Sequence, residues 1–320
     1  MKQFKSTRSR LIPTILRPGY SLVIFLQEIL NKLFSPILNP MYLLGATNFL
    51  LFWIILATGA YLFLFYDMSP DRTYESVQYL SVDQKYYGGI IRSFHRYASD
   101  MMLVTLTFHV FHVLFMDRFR KTRMLAWFTG VAIIPAFWIT GLSGYFLVWD
   151  QKAQLIATYA AQALDILPIS AEPISRNLLS NSSVNSMIFF VMTFLHIAAP
   201  IGILILAWVH CMRVSKPLLG PPKGLAIPIF AFFFGLSILK PAESLPHADL
   251  SQLITKMEID WFYMFPIAIP EMMDISFGKV LLIGILSLVF LFILPLFIKD
   301  PPSEGDLEMA ADGKKKPIEM

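Results

Sequence analysis

Four histidines form two pairs with the same interval, and each pair lies inside its own long apolar segment. The pairs are His95 with His109 and His196 with His210, fourteen residues apart in both cases. In an α-helix, fourteen residues rise about 21 Å and return to within roughly 40° of the same face. If the two helices lie side by side and parallel, the four imidazole rings form two facing couples, one above the other.

Facing imidazoles at two levels are the ligand set of two six-coordinate haem irons stacked across a membrane. Such irons pass electrons and bind no substrate, because both axial positions are filled. The alternative for an intramembrane histidine is a hydrogen bond to a neighbouring helix. Two pairs at one interval favour haem ligation, with all four histidines as metal ligands.

The composition supports a membrane setting. Of the 320 residues, 56% are hydrophobic and 15% are charged, whereas soluble domains carry about 25% charged residues. Six segments are predicted to span the membrane: A 45–66, B 88–116, C 124–148, D 184–212, E 224–239 and F 279–298. Segment E is short and contains Pro228. Residues 20–37 are predicted to form an amphipathic surface helix.

The loops between the segments alternate in charge. The N-terminus and the B–C and D–E loops are basic, whereas the A–B, C–D and E–F loops are mixed or acidic. By the positive-inside rule, both termini are cytoplasmic. Segments B and D then both run inward and are parallel, as the facing couples require. The net charge of +4 belongs to the inner loops and requires no nucleic-acid partner.

Glycines repeat the histidine interval. Segment A contains Gly45 and Gly59, and segment C contains Gly130 and Gly144. Glycine permits the close backbone approach that a flat porphyrin edge needs, and the alternative is helix packing through small residues. The shared interval favours the porphyrin, so segments A and C are expected to flank two haems that are ligated from B and D.

These segments resemble the cytochrome b family of quinol–cytochrome c and quinol–plastocyanin oxidoreductases. The resemblance runs from about residue 40 to 300 and is strongest in GGIIRSFHRYASDMM (88–102), TGLSGYFLVWDQ (140–151) and IDWFYMF (259–265). The first two stretches look closest to the plastid-type branch, with helices resembling its separate subunit fused on as E and F.

The expected fold is an all-α membrane protein, in which a transmembrane four-helix bundle (A–D) holds two stacked b haems beside two further helices. The expected parts are a cytoplasmic N-terminus with the surface helix (1–40), the dihaem bundle (41–215), helices E and F with a quinol-site loop (216–300), and a disordered cytoplasmic tail (301–320).

The resemblance implies a role for each histidine pair. His95 and His196 would ligate a low-potential haem on the outer side, and His109 and His210 a high-potential haem on the inner side. Arg92 matches a family arginine that contacts a haem propionate, a contact suited to a guanidinium. The alternative for Arg92 is snorkelling at the outer interface.

Other positions bear on the haems more weakly. Both haems are expected to be non-covalent, because Leu43 stands where the plastid-type branch has a cysteine that attaches an extra haem. His112 is a candidate for contact with a propionate or a quinone, and more often such a residue is only an interfacial histidine. Arg123 is a similar weak candidate for a propionate contact.

A quinol site is implied on the outer side. In the family, a short helix after helix C and a Pro-Glu-Trp-Tyr loop between E and F enclose the quinol; here these are the helix 152–164 and residues 259–262. Quinol oxidation releases protons, so a carboxylate at the pocket edge is needed as acceptor. The expected catalytic residues are Tyr145, Asp260 and Trp261, and the residues around them are Gly144, Trp149, Asp150, Gln151 and Phe262.

The quinol-site residues also depart from the family pattern. Ile259 and Phe262 replace the loop's proline and tyrosine, and Val148 replaces the proline of the family's Leu-Pro-Trp. Asp260 is one methylene shorter than the family's glutamate, and its alternative role is a solvated acid beside an interfacial tryptophan. Loop rigidity and the type of quinone therefore stay open.

The function implied is that of one subunit of a quinol oxidoreductase, which carries electrons between two quinone sites and contributes to the proton-motive force. The implied partners are an iron–sulfur protein, a c-type cytochrome, or both, in an energy-transducing membrane such as the bacterial cytoplasmic membrane; a homodimeric complex stays open. Two alternatives remain, a dihaem membrane anchor of a dehydrogenase or reductase with a single quinone site, and a non-redox transporter with buried histidines.

Overall fold

A computed structural model describes residues 14–166, 184–214, 217–252, 254 and 261–298. The predicted tail at 301–320 and the predicted proton acceptor Asp260 lie outside the described residues. Within them the chain is helical, as the sequence predicts for an all-α membrane protein.

Ten α-helices follow one another in the described ranges. Segments A to F correspond to α2, α4, α5, α7, α8 and α10, in that order. The helices are α1 Arg17–Leu38, α2 Leu44–Phe63, α3 Pro70–Val82, α4 Ile90–Phe115, α5 Met124–Phe146, α6 Gln151–Ile166, α7 Ser186–Cys211, α8 Lys223–Leu239, α9 Phe265–Met273 and α10 Phe277–Phe297.

Among the described residues, six helices are long and apolar enough to cross a membrane. The number equals the predicted one, but one member differs. Helix α8 has 17 residues, the lower end of the range for a membrane-spanning helix, and α1 takes its place among the six. The six candidates are Thr14–Leu38, Leu44–Phe63, Lys85–Phe115, Lys121–Phe146, Ser186–Cys211 and Phe277–Phe297.

The first candidate, which contains α1, lies across one end of the bundle rather than along it. Tyr20 packs in a cluster with Phe119, and Gln27 Nε2 is 2.8 Å from His112 Nε2. At the other end of α1, Leu38 contacts the first turn of α8. Helix α1 is kinked at Ser35, which has a φ of 64°, and residues on both sides of the kink touch the same end of the bundle, so this placement agrees with a surface helix.

The bundle consists of two antiparallel helix pairs. The most extensive contacts join α2 with α4 and α5 with α7. Helices α2, α5 and α7 contain no Asp, Glu, Lys or Arg, and a helix satisfies its own backbone polar groups, as a lipid environment demands. Pro135 and Pro200 lie inside α5 and α7, where membrane helices tolerate proline.

The C-terminal helices pack on the outside of these pairs. Phe230 of α8 lies against Phe94 of α4, with ring centres 4.9 Å apart. Trp127 Nε1 of α5 donates a hydrogen bond of 2.7 Å to the Leu291 carbonyl of α10. Helix α5 therefore connects the bundle with the C-terminal part.

Residues in and after the turn that follows α5 form hydrogen bonds with the segment that connects α8 and α9. Trp149, two residues after the C-cap Leu147 of α5, has a φ of 53°, a left-handed conformation in the turn that leads to α6. Asp150 accepts a hydrogen bond from Ala153 N at 3.1 Å, which caps α6, and another from Leu245 N at 3.0 Å. The Gln154 amide binds the same connection through the Asp249 carbonyl, at 2.8 Å.

Candidate functional site

The four histidines meet as two facing couples. The ring centres of His95 and His196 are 6.3 Å apart, and those of His109 and His210 are 6.4 Å apart. Helices α4 and α7 are therefore parallel. We name the two ends of the bundle after α4, the His95 end and the His109 end.

The distance within each couple leaves room for one metal ion. A bond from a metal to an imidazole nitrogen is about 2.0 Å, and that nitrogen lies about 1.1 Å from the ring centre, so two imidazoles on one ion have centres about 6.2 Å apart. Both observed distances fall within 0.2 Å of this value. The two couples thus fit the axial ligand sets of two haem irons.

Hydrogen bonds orient three of the four rings through Nδ1. Nδ1 of His95 is 3.1 Å from the Ile55 carbonyl, and Nδ1 of His196 is 2.9 Å from the Thr140 carbonyl. A carbonyl only accepts, so Nδ1 carries the proton and the lone pair is on Nε2, the tautomer of a metal ligand. Hydroxyl oxygens also lie beside Nδ1: Thr58 for His95 at 3.0 Å, Ser143 for His196 at 3.1 Å and Thr129 for His210 at 3.3 Å.

Each of the four predicted glycines faces one imidazole ring. A Cβ atom at any of them would crowd the Cε1 atom of that ring, most closely at Gly144, so each glycine makes room for its imidazole. The antiparallel pairing of α2 with α4 and of α5 with α7 follows from the same contacts. The distance from the added Cβ atom to the Cε1 atom of the ring would be 3.3 Å for Gly45 and His109, 3.1 Å for Gly59 and His95, 3.2 Å for Gly130 and His210, and 2.8 Å for Gly144 and His196.

A cavity of about 340 Å³ opens at the His109 end. Its lining includes His109, His210 and the predicted Arg123, and also His112 and Arg118. The lining is largely apolar, with arginines suited to bind carboxylates. This cavity therefore suits an apolar group that carries acidic substituents, such as a haem.

Arg92 binds two serines at the His95 end. Its guanidinium donates hydrogen bonds to Ser81 Oγ and, at 2.8 Å, to Ser244 Oγ. Both serine hydroxyls are neutral, so these bonds do not neutralise the charge of Arg92. A contact of Arg92 with a haem propionate stays a prediction.

The predicted quinol-site residues divide between the core and the surface. Tyr145 is buried, and its ring centre is 5.9 Å from that of Tyr263. Trp261 is 59% exposed and lies near Phe265, with ring centres 5.9 Å apart. Trp149 packs in the small cluster at the start of α6. The segment 261–264 and Tyr145 are thus neighbours, whereas Asp260 is outside the described residues.

Tyr263 anchors this segment on the bundle, and the sequence reasoning missed it. Its hydroxyl is 2.6 Å from Ser99 Oγ, and its carbonyl accepts a 3.0 Å hydrogen bond from Trp138 Nε1. The ring occupies the space beside Gly141 where a side chain would stand. Burial raises the pKa of the Tyr263 phenol. Only its position beside the expected loop motif could have pointed to it.

An intramembrane ion pair was also missed. Arg96 Nε lies 3.0 Å from Asp100 Oδ2, and the Arg96 guanidinium lies over the Tyr145 ring, 4.1 Å from its centre. The signal was available, because opposite charges at positions i and i+4 of an apolar helix form a pair on one face.

Comparisons with known proteins point to one family. A family model described as "Cytochrome b/b6/petB" matches residues 29–217, more than half of the chain. The chain is also similar to a solved structure titled "Hyperthermophilic respiratory Complex III", with a TM-score of 0.66 and 19% identity. That match covers 86% of this chain and 81% of the other chain, and at this identity it shows a shared fold.

Proposed function

The chain belongs to the cytochrome b family, and from this premise we propose that it is the cytochrome b subunit of a membrane quinol oxidoreductase complex that holds two b haems. Membership in the family implies b-type haem binding. The proposal adds the number of haems, their ligands and a quinone site on each side of the membrane. The observation that carries it is the spacing of 6.3 Å and 6.4 Å in the two histidine couples.

In the proposal, His95 and His196 hold the outer haem, and His109 and His210 hold the inner haem. When bound, the two haems supply one-electron carriers that connect the outer and inner sides of the membrane. The facing glycines let the imidazoles lie against the backbone of α2 and α5. The Nδ1 hydrogen bonds keep the Nε2 lone pairs available for iron. Arg92 at the outer end and Arg123 at the inner end are the proposed propionate partners.

The proposed outer quinol site lies between Tyr145, the segment 261–264 and the start of α6. Tyr145 forms a wall of the site, Trp261 covers it, and Asp260 accepts a proton from the quinol. Support comes from the anchoring of Tyr263 on α4 and α5, which brings this loop segment to the His95 end. A simple dihaem anchor needs no such loop.

The experiment that tests the proposal is oxidant-induced reduction of the b haems in the intact complex. Addition of an oxidant should withdraw one electron from quinol and drive the other into the b haems, and an inhibitor of the outer site should abolish the signal. Absence of this signal in a complex that retains both haems would favour the anchor with a single quinone site. A purified protein without haem absorbance would contradict the proposal and favour the transporter.

Asp260 offers a sharper test with a control in the same loop. We expect Asp260→Asn to slow quinol oxidation at least ten-fold, because general acid–base groups contribute about 10²–10⁴-fold. Asp249→Asn is the matched control, since hydrogen bonds from Ser251 hold the pKa of Asp249 below its usual range and make it a poor acceptor. Equal rates in the two variants would remove Asp260 from the proposed role.

One electron of the quinol needs a high-potential acceptor, and we propose an iron–sulfur protein or a c-type cytochrome on another chain. The similarity to a Complex III subunit supports a complex of several subunits. Purification of the tagged complex followed by metal analysis tests this, with non-haem iron or c-type haem in stoichiometric amounts as the expected result.

A further inference from the structure

An ion pair lies inside α4, where charge is costly in a membrane-spanning helix. Arg96 Nε is 3.1 Å and 3.0 Å from the two carboxylate oxygens of Asp100. The Asp100 side chain is 11% exposed and that of Arg96 is 29% exposed. Ionisable residues in membrane spans are rare and mark functional sites. The proposed roles of the histidines, the glycines and the outer loop leave this pair unused.

The pair lies close to one histidine couple and far from the other. Arg96 follows His95 directly, and Asp100 stands five residues after His95 and nine before His109. These intervals correspond to about 7.5 Å and 13.5 Å along the helix. The Arg96 guanidinium lies over the ring of Tyr145 in α5, and Tyr145 directly follows Gly144 in the sequence.

The surroundings of the pair are poorly hydrated, so its charges are weakly screened. Tyr145 is 8% exposed and Tyr263 is 1% exposed, and both aromatic rings lie beside Arg96 or against each other. In such a setting a unit charge acts over longer distances than in water. The opposite charges of Arg96 and Asp100 largely cancel at the position of the outer haem only while both are present.

We propose that the Arg96–Asp100 pair sets the midpoint potential of the haem at the His95–His196 couple and acts less strongly on the haem at the other couple. The inference rests on the proposed function, because it requires two haems. Arg96 and Asp100 are positioning residues, which act on the outer haem through the electric field of their charges. Loss of Asp100 leaves a positive charge that favours the reduced iron, and loss of Arg96 leaves a negative charge that favours the oxidised iron.

The test is a redox titration of b-haem absorbance in the intact complex, with the two waves assigned by His109→Leu. Asp100→Asn should raise the potential of the outer haem, Arg96→Gln should lower it, and the double variant should return it close to the wild-type value. Asp100→Glu, which keeps the charge, should leave the potential near that of the wild type. The inner haem serves as the internal reference, and its potential should shift less than that of the outer haem, because Asp100 lies farther from His109 than from His95.

A matched control lies at the opposite end of α4. Asp117 and Arg120 form a second buried pair, with side chains 11% and 5% exposed. Asp117→Asn removes a carboxylate of the same kind from the His109 end and should leave the outer haem potential unchanged. An outer-haem shift as large as that of Asp100→Asn would contradict a local effect.

The outcomes separate this inference from the proposed function. A wild-type complex without two b-haem waves would contradict the proposed function. Two waves that do not move in Arg96→Gln and Asp100→Asn, or that move in the same direction in both, would overturn the inference alone. If Asp100→Asn loses its haem, Arg96→Gln and the double variant decide: a lowered potential in the first and a restored one in the second support the pair.

Discussion

The two ends of the bundle contain the same pair of rings in different surroundings. At the His95 end, both imidazoles have a backbone carbonyl and a hydroxyl beside Nδ1, and an ion pair and a folded loop lie next to them. At the His109 end, a cavity of about 340 Å³ is lined by two arginines. The helices thus fix a common ligand geometry, and the neighbouring side chains give each end its own electrostatic character.

A short sequence pattern accompanies this difference. A hydroxyl residue directly precedes three of the four glycines, in Thr58-Gly59, Thr129-Gly130 and Ser143-Gly144. In each case the hydroxyl lies beside the imidazole that the glycine faces. The fourth glycine, Gly45, follows Leu44, which has no hydroxyl to offer His109. The glycine makes room for the ring, and the preceding residue adjusts its hydrogen bonding.

Removal of one imidazole from each end in turn should separate the two ends most clearly. His109→Leu should abolish one b haem and leave the other, because each couple would bind its own iron, and His95→Leu should do the reverse. Reduced-minus-oxidised difference spectra of the purified complex should then show half of the wild-type haem absorbance, with different remaining potentials. Retention of both haems in either variant would refute the pairing.

The next test compares the glycine that lies closest to its imidazole, Gly144, with the one that lies farthest, Gly45. A methyl group at Gly144 would lie 2.8 Å from His196 Cε1, whereas one at Gly45 would lie 3.3 Å from His109 Cε1. Overpacking of this kind costs about 1–3 kcal/mol, so Gly144→Ala should lose outer haem and Gly45→Ala should retain most of the inner haem. Haem content per protein measures both. Equal losses would show that the distance to the ring does not decide the outcome.

A smaller effect is expected from the hydroxyl beside His95. Thr58 donates its own proton to the Ile54 carbonyl at 2.6 Å, so its oxygen accepts from Nδ1 of His95. An acceptor at Nδ1 raises the basicity of a metal-bound imidazole. Thr58→Val should therefore raise the outer haem potential, by less than Asp100→Asn does. Thr107→Val, which removes a hydroxyl bonded to the Leu103 carbonyl on the exposed side of α4, is the control and should have no effect.

The bundle could be predicted from the sequence because its signals are local and periodic. Runs of apolar residues predicted the spans, and the shared interval of fourteen predicted which rings would face each other. The facing couples and the neighbouring glycines could be deduced since helical geometry leaves little freedom. The family model, which matches residues 29–217, covers this same region.

The C-terminal part could be predicted less well, because its position depends on long-range contacts. Nothing in the residues around Tyr263 indicates that its phenol reaches Ser99, 164 positions earlier in the chain. The hydrogen bond from Leu245 N to Asp150, 95 positions earlier in the chain, is also non-local. Length and composition alone place α1 among the candidate spans, whereas the amphipathic pattern of residues 20–37 predicted a surface helix.

A still smaller effect is expected for α1, which packs on the His109 end of the bundle. Gln27→Leu removes the buried hydrogen bond to His112, which costs about 1 kcal/mol. Trypsin cleavage after the exposed Lys32 should then increase by about five-fold, because cleavage follows the population of molecules in which α1 has detached. Gln78→Leu removes a bond of the same 2.8 Å length to Tyr74 in α3 and should leave this cleavage unchanged. Unchanged cleavage in Gln27→Leu would mean that packing of residues such as Tyr20 holds α1 without the polar contact. The two ends of the bundle would then differ in their charges and hydrogen bonds around the rings, and the surface helix would contribute only apolar cover.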